Sequence, residues 1–245
     1  MRVKAVIAYD GSAYLGFQKQ KSTHRTIMSA IEKALFSLHI HSPIVGSGRT
    51  DAGVHASGQV IHFDLPPYWH DLPKLTLNLN RQLYDIQVKY MSQVSPSFHA
   101  RFSAKRRLYR YIFKTSTPSV FEQKYVSYYP PFDTKILQEA LIYFKGKHDF
   151  AYFRKTGSQT YTTRKEMYMV RYKQRGDYHI IYFQANGFLR AQVRMMIDSA
   201  MQCATHRLTL EALKAQLLCQ HKHSTTLAPA EGLYLAKILY DTENL

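Results

Sequence analysis

The 245-residue sequence holds only two cysteines, Cys203 and Cys219. Two thiols exclude the disulfide framework of small secreted folds, and in a cytosolic setting they stay free. Acidic residues are scarce as well, 17 against 33 Lys and Arg, which leaves a net charge of +16. That imbalance favours a polyanionic partner such as RNA or DNA. No apolar run is long enough to span a bilayer, and no basic amphipathic helix stands out to lie on one. The first nine residues alternate like a strand and are too short for a signal peptide, so a cytoplasmic location is expected. The chain has no P-loop, no dinucleotide-binding glycine fingerprint and no nucleophile elbow. The pairs His39/His41 and His221/His223, even taken with Cys203 and Cys219, lack zinc-finger, zincin or deaminase spacing, so no metal is expected. A single Trp contrasts with 19 Tyr and 13 Phe, so rings are available to stack on bases, although most are expected in the core.

What is present is concentrated in Gly48-Arg49-Thr50-Asp51-Ala52-Gly53-Val54-His55-Ala56. The glycines allow a sharp turn and a close ligand approach. Pro43 and the run Gly46-Ser47-Gly48 upstream mark a loop. The alternation of Gln59-Val60-Ile61-His62-Phe63-Asp64-Leu65 marks the strand that follows. A carboxylate on such a loop, beside an arginine and a histidine, suits a reactive group. It equally suits a turn residue bonded to its own backbone.

Periodicity predicts a first strand over 1–9, then helices over 26–38 and 72–83, with Pro73 in the first turn of the latter. Strands follow over 86–94 and 108–114. A helix over 136–144, a hairpin joining 167–173 to 178–186 through Arg175-Gly176-Asp177, helices over 188–204 and 209–218, and a last strand over 232–240 complete the order. Both halves read as α+β. The expected division is 1–105, carrying the Asp51 loop, and 106–245.

Two more segments carry chemistry. Residues 98–111 interleave Arg101, Lys105, Arg106, Arg107 and Arg110 with aromatics, and strand alternation puts Tyr109, Tyr111 and Phe113 on one face. Cations for phosphates and rings for bases suit a nucleic-acid surface; a tyrosine-rich core face with a solvated basic face fits as well. In the helix expected over 188–204, Arg190 and Arg194 lie one turn apart, and Arg194 can pair with Asp198.

The Asp51 run resembles the motif of the tRNA pseudouridine synthase A family. Other stretches resemble that family in the same order: Tyr14-Leu15-Gly16-Phe17-Gln18-Lys19-Gln20, Asn80 to Ile86, Gly146-Lys147-His148-Asp149-Phe150, Arg194, and Ala228-Pro229-Ala230-Glu231-Gly232-Leu233. The chain departs from it with Phe17 for tryptophan, Tyr84 for proline and Asp198 for glycine. The resemblance implies two ferredoxin-like α+β subdomains whose antiparallel sheets join around a basic cleft. It also implies a homodimer acting on uridines of the tRNA anticodon stem-loop without a cofactor. Catalytic roles would fall to Asp51, to Arg194 as its cationic partner, and to Tyr109 against the base. RNA contacts would fall to Arg49, His55, Arg101, Arg106, Arg107 and Arg110, with Arg49 displacing the flipped nucleotide. Two other classes suit a basic chain. An RNA-binding module needs no Asp–Arg pair, and a metal-dependent nuclease or deaminase would lose activity to a chelator.

Overall fold

The computed structural model describes residues 1–157 and 161–241. In chain order the elements are β1 (Arg2–Tyr9), α1 (Ile27–Ser37), β2 (Val45–Gly46), β3 (His55–Asp64), α2 (Leu72–Asn80), β4 (Ile86–Gln93), β5 (Arg106–Lys114), β6 (Ser127–Tyr128), α3 (Thr134–Ile142), β7 (Gly146–Asp149), β8 (Arg164–Arg175), β9 (Tyr178–Ala185), α4 (Gln192–Ala204), α5 (Leu210–Leu217) and β10 (Leu233–Leu239). The fold is α+β. No helix of the described residues is long and apolar enough to cross a membrane. The described residues form two compact units, one of 1–105 with 234–241 and one drawn from 106–233. Residues 234–241, expected with the second half, therefore pack in the first unit.

The first unit is a sheet in the order β4-β1-β3-β10. β1 runs antiparallel to both neighbours, and β10 joins β3 in parallel, with Tyr234 opposite His55. β2 pairs further along β3, with Val45 opposite His62. β1 alternates buried and half-buried residues except at Val6, whereas β3 is buried along nearly its whole length. Helix α1 starts at Thr26, whose hydroxyl accepts the Ser29 N–H at 3.2 Å. It buries Ile27, Ile31, Ala34 and Leu35. Asp71 caps α2 in the same way. The Asn80 side chain bonds both the C=O and the N–H of Val88 on β4, at 2.9 and 2.7 Å. These bonds end α2 at Asn80, earlier than its leucine spacing suggests.

The second unit is an antiparallel sheet, β5-β9-β8-β7, with β6 added in parallel to β5. The face of β5 formed by Tyr109, Tyr111 and Phe113 is buried, so this part of the aromatic strand is core. Phe113 stacks on His179 and meets Tyr129 and Phe132. Helix α4 is buried along most of its length and packs against α3. It begins at Gln192, not at residue 188. Ala191 is left-handed (φ 60°), and the Gln192 side chain accepts the Leu189 N–H at 2.8 Å, closing a turn ahead of the helix. Arg190 therefore lies outside α4, where it donates to the Thr156 carbonyl.

His62, on β3, is 5% exposed, and its Nδ1 accepts the Ala100 N–H at 3.1 Å. Burial, aided by the neighbouring His99 and Arg2, lowers its pKa from 6.5 to about 4. Between those values the unfolded chain binds a proton that the folded chain refuses. The stabilisation is thus complete above pH 6.5 and is lost as the pH falls through about 4. Replacing His62 with Asn, which keeps an acceptor but does not titrate, is expected to flatten the melting temperature across that window. An unchanged pH slope in thermal melts of His62→Asn refutes the assignment.

Candidate active site

The Asp51 loop is fastened mainly by main-chain groups. Phe17 N–H donates to the Thr50 carbonyl at 3.1 Å, and Gly53 N–H to the Tyr14 carbonyl at 3.3 Å. Val54 N–H returns to the Asp51 carbonyl at 3.1 Å, closing a turn around the carboxylate. Gly53 holds φ at 75°, a conformation few side chains tolerate. The peptides on both sides of Asp51 are therefore fixed, and its half-buried side chain projects from a rigid turn.

A second contact comes from the turn after β1. Gly11 N–H donates to His55 Nδ1 at 3.0 Å. A Cβ on Gly11 would sit 2.1 Å from the Val54 carbonyl oxygen, so only glycine lets the turn lie this close. Since Nδ1 accepts a hydrogen, the imidazole is in the neutral form with its proton on Nε2. Asp10 Oδ1 lies 3.3 Å from the same Nδ1. The ring stacks on Tyr234 at 4.8 Å.

This geometry corrects the expectation for His55. It is 1% exposed and belongs to β3, which starts four residues earlier than the alternation from Gln59 suggests. His55 supports the loop from beneath and presents no surface to RNA. Arg49 is exposed on the same loop. Arg101 is also exposed, with its guanidinium 5.6 Å from the Phe102 ring. The adjacent Ala100 is tied to His62, however, seven residues along β3 from His55, a span of about 23 Å at strand rise. Arg101 is thus remote from the carboxylate within the first unit.

The remaining expected residues belong to the second unit. Tyr109 is 7% exposed and meets Phe188 edge-on at 5.0 Å. Arg106 is exposed, over the Tyr168 ring at 4.6 Å, while Arg107 donates to the Asn186 carbonyl at 3.1 Å and Arg110 is half-buried. On α4, Arg194 Nε donates to the Ala228 carbonyl at 2.6 Å, and Ala228 N–H returns to the Arg194 carbonyl at 3.1 Å. The segment after Ala228 is thereby fastened to the helix. Asp198 accepts hydrogen bonds from Gln202 and Thr226 on its Oδ2.

The departures from the family pattern are accommodated locally. Phe17 is buried against Gly46 and stacks with Tyr9 at 6.2 Å. Tyr84 is 97% exposed beside Asp85, whose carbonyl accepts the Asp10 N–H. Cys203 bonds the Thr209 carbonyl and Cys219 the Asp149 carbonyl. Among the described residues no group of three or more His, Cys, Asp or Glu is placed to hold a metal ion. Sequence reasoning missed Tyr9, Gly11 and Phe17 as loop supports; the available signal was the turn Asp10-Gly11 at a strand end.

Because the Gly11 approach is purely steric, Gly11→Ala is expected to cost about 1–3 kcal/mol from overpacking and to loosen the Asp51 loop. Gly176, with nothing within 4 Å of its virtual Cβ but φ at 56°, is the comparison. Its replacement with alanine costs only left-handed strain, about 1 kcal/mol. Urea unfolding together with exchange of the Val54 amide tests this; unchanged Val54 protection in Gly11→Ala would rule out the coupling.

The sequence model of a family described as tRNA pseudouridine synthase matches residues 5–103 and 140–241. A tRNA pseudouridine synthase A of Campylobacter jejuni strain RM1221 is 37% identical over 241 residues, covering 98% of this chain and 100% of its own. The corresponding proteins of Helicobacter hepaticus (37%, covering 97% and 98%) and Bacillus pumilus (36%, covering 98% and 100%) are similarly alike. With the family motif mounted on a rigid turn and the match running nearly end to end, this chain belongs to the tRNA pseudouridine synthase family.

Proposed function

We propose that this chain isomerises uridine to pseudouridine in the anticodon stem-loop of tRNA, with Asp51 as the essential carboxylate. The observation that carries the reading is the family match over nearly the whole chain; Asp51 is assigned from the resemblance of its loop to the family's motif. The net charge of +16 supports an RNA partner.

The target base is stacked, so it must be flipped out at a cost of a few kcal/mol. Arg49, exposed beside Asp51, is suited to replace the displaced base. The Asp51 carboxylate acts as nucleophile or base at the ribose or the ring, and the bond from C1′ to N1 breaks. The uracil turns, C5 bonds to C1′, any bond formed to Asp51 breaks to restore the free carboxylate, the C5 proton leaves, and N1 takes up a proton. Substrate and product are isomers with no net oxidation, so the reaction calls for no cofactor. Arg194 is assigned to hold the Asp51 carboxylate ionised and oriented, as a guanidinium does through paired hydrogen bonds. Tyr109 is assigned to pack on the base. Arg106, Arg107 and Arg110 on β5 are assigned to phosphates, with Arg101 as a more distant contact. A cytoplasmic homodimer is the assembly that fits this reading, with the tRNA contacting both subunits.

Tritium release from tRNA labelled at uridine C5 tests the reading, because forming pseudouridine expels that hydrogen. Release is expected from the wild type and not from Asp51→Asn, which should still bind tRNA. No release from the wild type despite tight binding would make this an RNA-binding module. Release by both proteins would remove Asp51 from the chemistry.

The arginines give a separate expectation. If Arg106 and Arg107 each meet a phosphate, Arg→Ala at either weakens tRNA binding and reduces the slope of log K against log salt by about 0.7–0.9. Titrations at several salt concentrations measure this; an unchanged slope takes that arginine off the RNA surface.

A further inference from the structure

We infer that Tyr9 is a positioning residue for the reaction, acting through Thr50 on the Asp51 carboxylate. The inference rests on the reading of Asp51 given under Proposed function. Tyr9 is the last residue of β1, a strand with neighbours on both sides. Its register against β3 slips by one residue between Ile7 and Tyr9. Such a bulge re-aims a side chain at the end of a strand. Here the Tyr9 hydroxyl meets the Thr50 hydroxyl at 2.8 Å. The two residues are 4% and 7% exposed, so water does not compete for the bond.

Thr50 immediately precedes Asp51. Its carbonyl is held by the Phe17 N–H, and Gly16 presses on the same carbonyl so closely that a Cβ there would lie 3.0 Å from the oxygen. The Phe17 ring stacks on Tyr9. Thr50 is therefore fixed at its main chain by residues 16 and 17 and at its side chain by Tyr9. Nothing in this arrangement requires the Tyr9 hydroxyl to touch substrate. Its effect on chemistry comes from denying the Thr50–Asp51 peptide a rotation that would swing the carboxylate. Displacements of about 1 Å at a reacting group can cost a hundredfold in rate.

The test uses the full chain in single-turnover tritium release from C5-labelled tRNA, with tRNA affinity and unfolding midpoint measured alongside. Tyr9→Phe and Thr50→Val are each expected to slow the chemical step about tenfold or more while tRNA affinity stays at the wild-type value. The double variant is expected to be no slower than the slower single variant, because both remove one bond. Its unfolding midpoint should recover relative to the singles, since no buried hydroxyl is left unmatched. A purely structural role predicts instead that the rate recovers with stability. Thr50→Ser, which keeps the hydroxyl, should retain the wild-type rate and keeps the test decisive if Tyr9→Phe does not fold. Wild-type rates in Tyr9→Phe or Thr50→Val overturn the positioning role and leave Asp51 untouched. No release by the wild type overturns both.

Discussion

The structure of the candidate site depends on one constraint: the loop carrying Asp51 is bonded through its peptide groups to a second loop that has no strand to stabilise it. The segment 14–17 donates to and accepts from residues 50–53. Gly11 lets the backbones approach to a distance that a Cβ would forbid, and Gly16 combines a tight approach with φ at 102°, where a side chain is strained. Main-chain bonds have little freedom to swing, unlike those of long side chains, so the carboxylate inherits the rigidity of β1 and β3. The neutral His55 beneath the loop extends the same logic. An uncharged ring accepting a peptide N–H can be buried without the desolvation cost that an imidazolium would bring.

The second unit uses aromatic burial where the first uses hydrogen bonding. The face of β5 carrying Tyr109, Tyr111 and Phe113 is packed, and the Tyr111 hydroxyl finds Ser127 at 2.9 Å. Burial raises that phenol's pKa well above the ordinary value, so it stays protonated and acts as a donor. The arginines on β5 are also engaged with protein groups, Arg106 with the Tyr168 ring and Arg107 with the Asn186 carbonyl. Cations held in this way are preoriented and lose less side-chain freedom on meeting a phosphate than free ones do.

Much of this architecture was legible in the sequence, for reasons that differ by element. The helix starts expected at 26, 72 and 209 were read within a residue, and the structure finds Thr26, Asp71 and Thr209 capping them through local side-chain acceptors. Gly176 marked the β8–β9 turn for the same reason, since only local backbone geometry is involved. The start of α4 was misread because the left-handed Ala191 and the cap formed by Gln192 leave the apolar spacing intact while breaking the helix. The early start of β3 was missed because His55 and Ala56 are fixed by β10, some 180 residues later. The same distance hid the burial of His55 and the place of the C-terminal strand. The carboxylate at Asp51 was visible as chemistry; the Tyr9 and Gly11 contacts that hold it were not, since they depend on where a bulge and a turn aim in space.

The position of β10 also bears on how the protein is made. The first unit is interrupted by 106–233 and closes only when Tyr234 and its neighbours arrive. At ordinary rates of synthesis the ribosome takes roughly ten to forty seconds to travel from His55 to Tyr234. Throughout that interval the nascent first unit has an open edge on β3 and a histidine without its stacked ring. A chain released early keeps the entire Asp51 motif yet lacks the strand that seals it. The sheet of the first unit is thus completed only after β10 has been synthesised, and until then β3 presents an unpaired edge at His55 and Ala56.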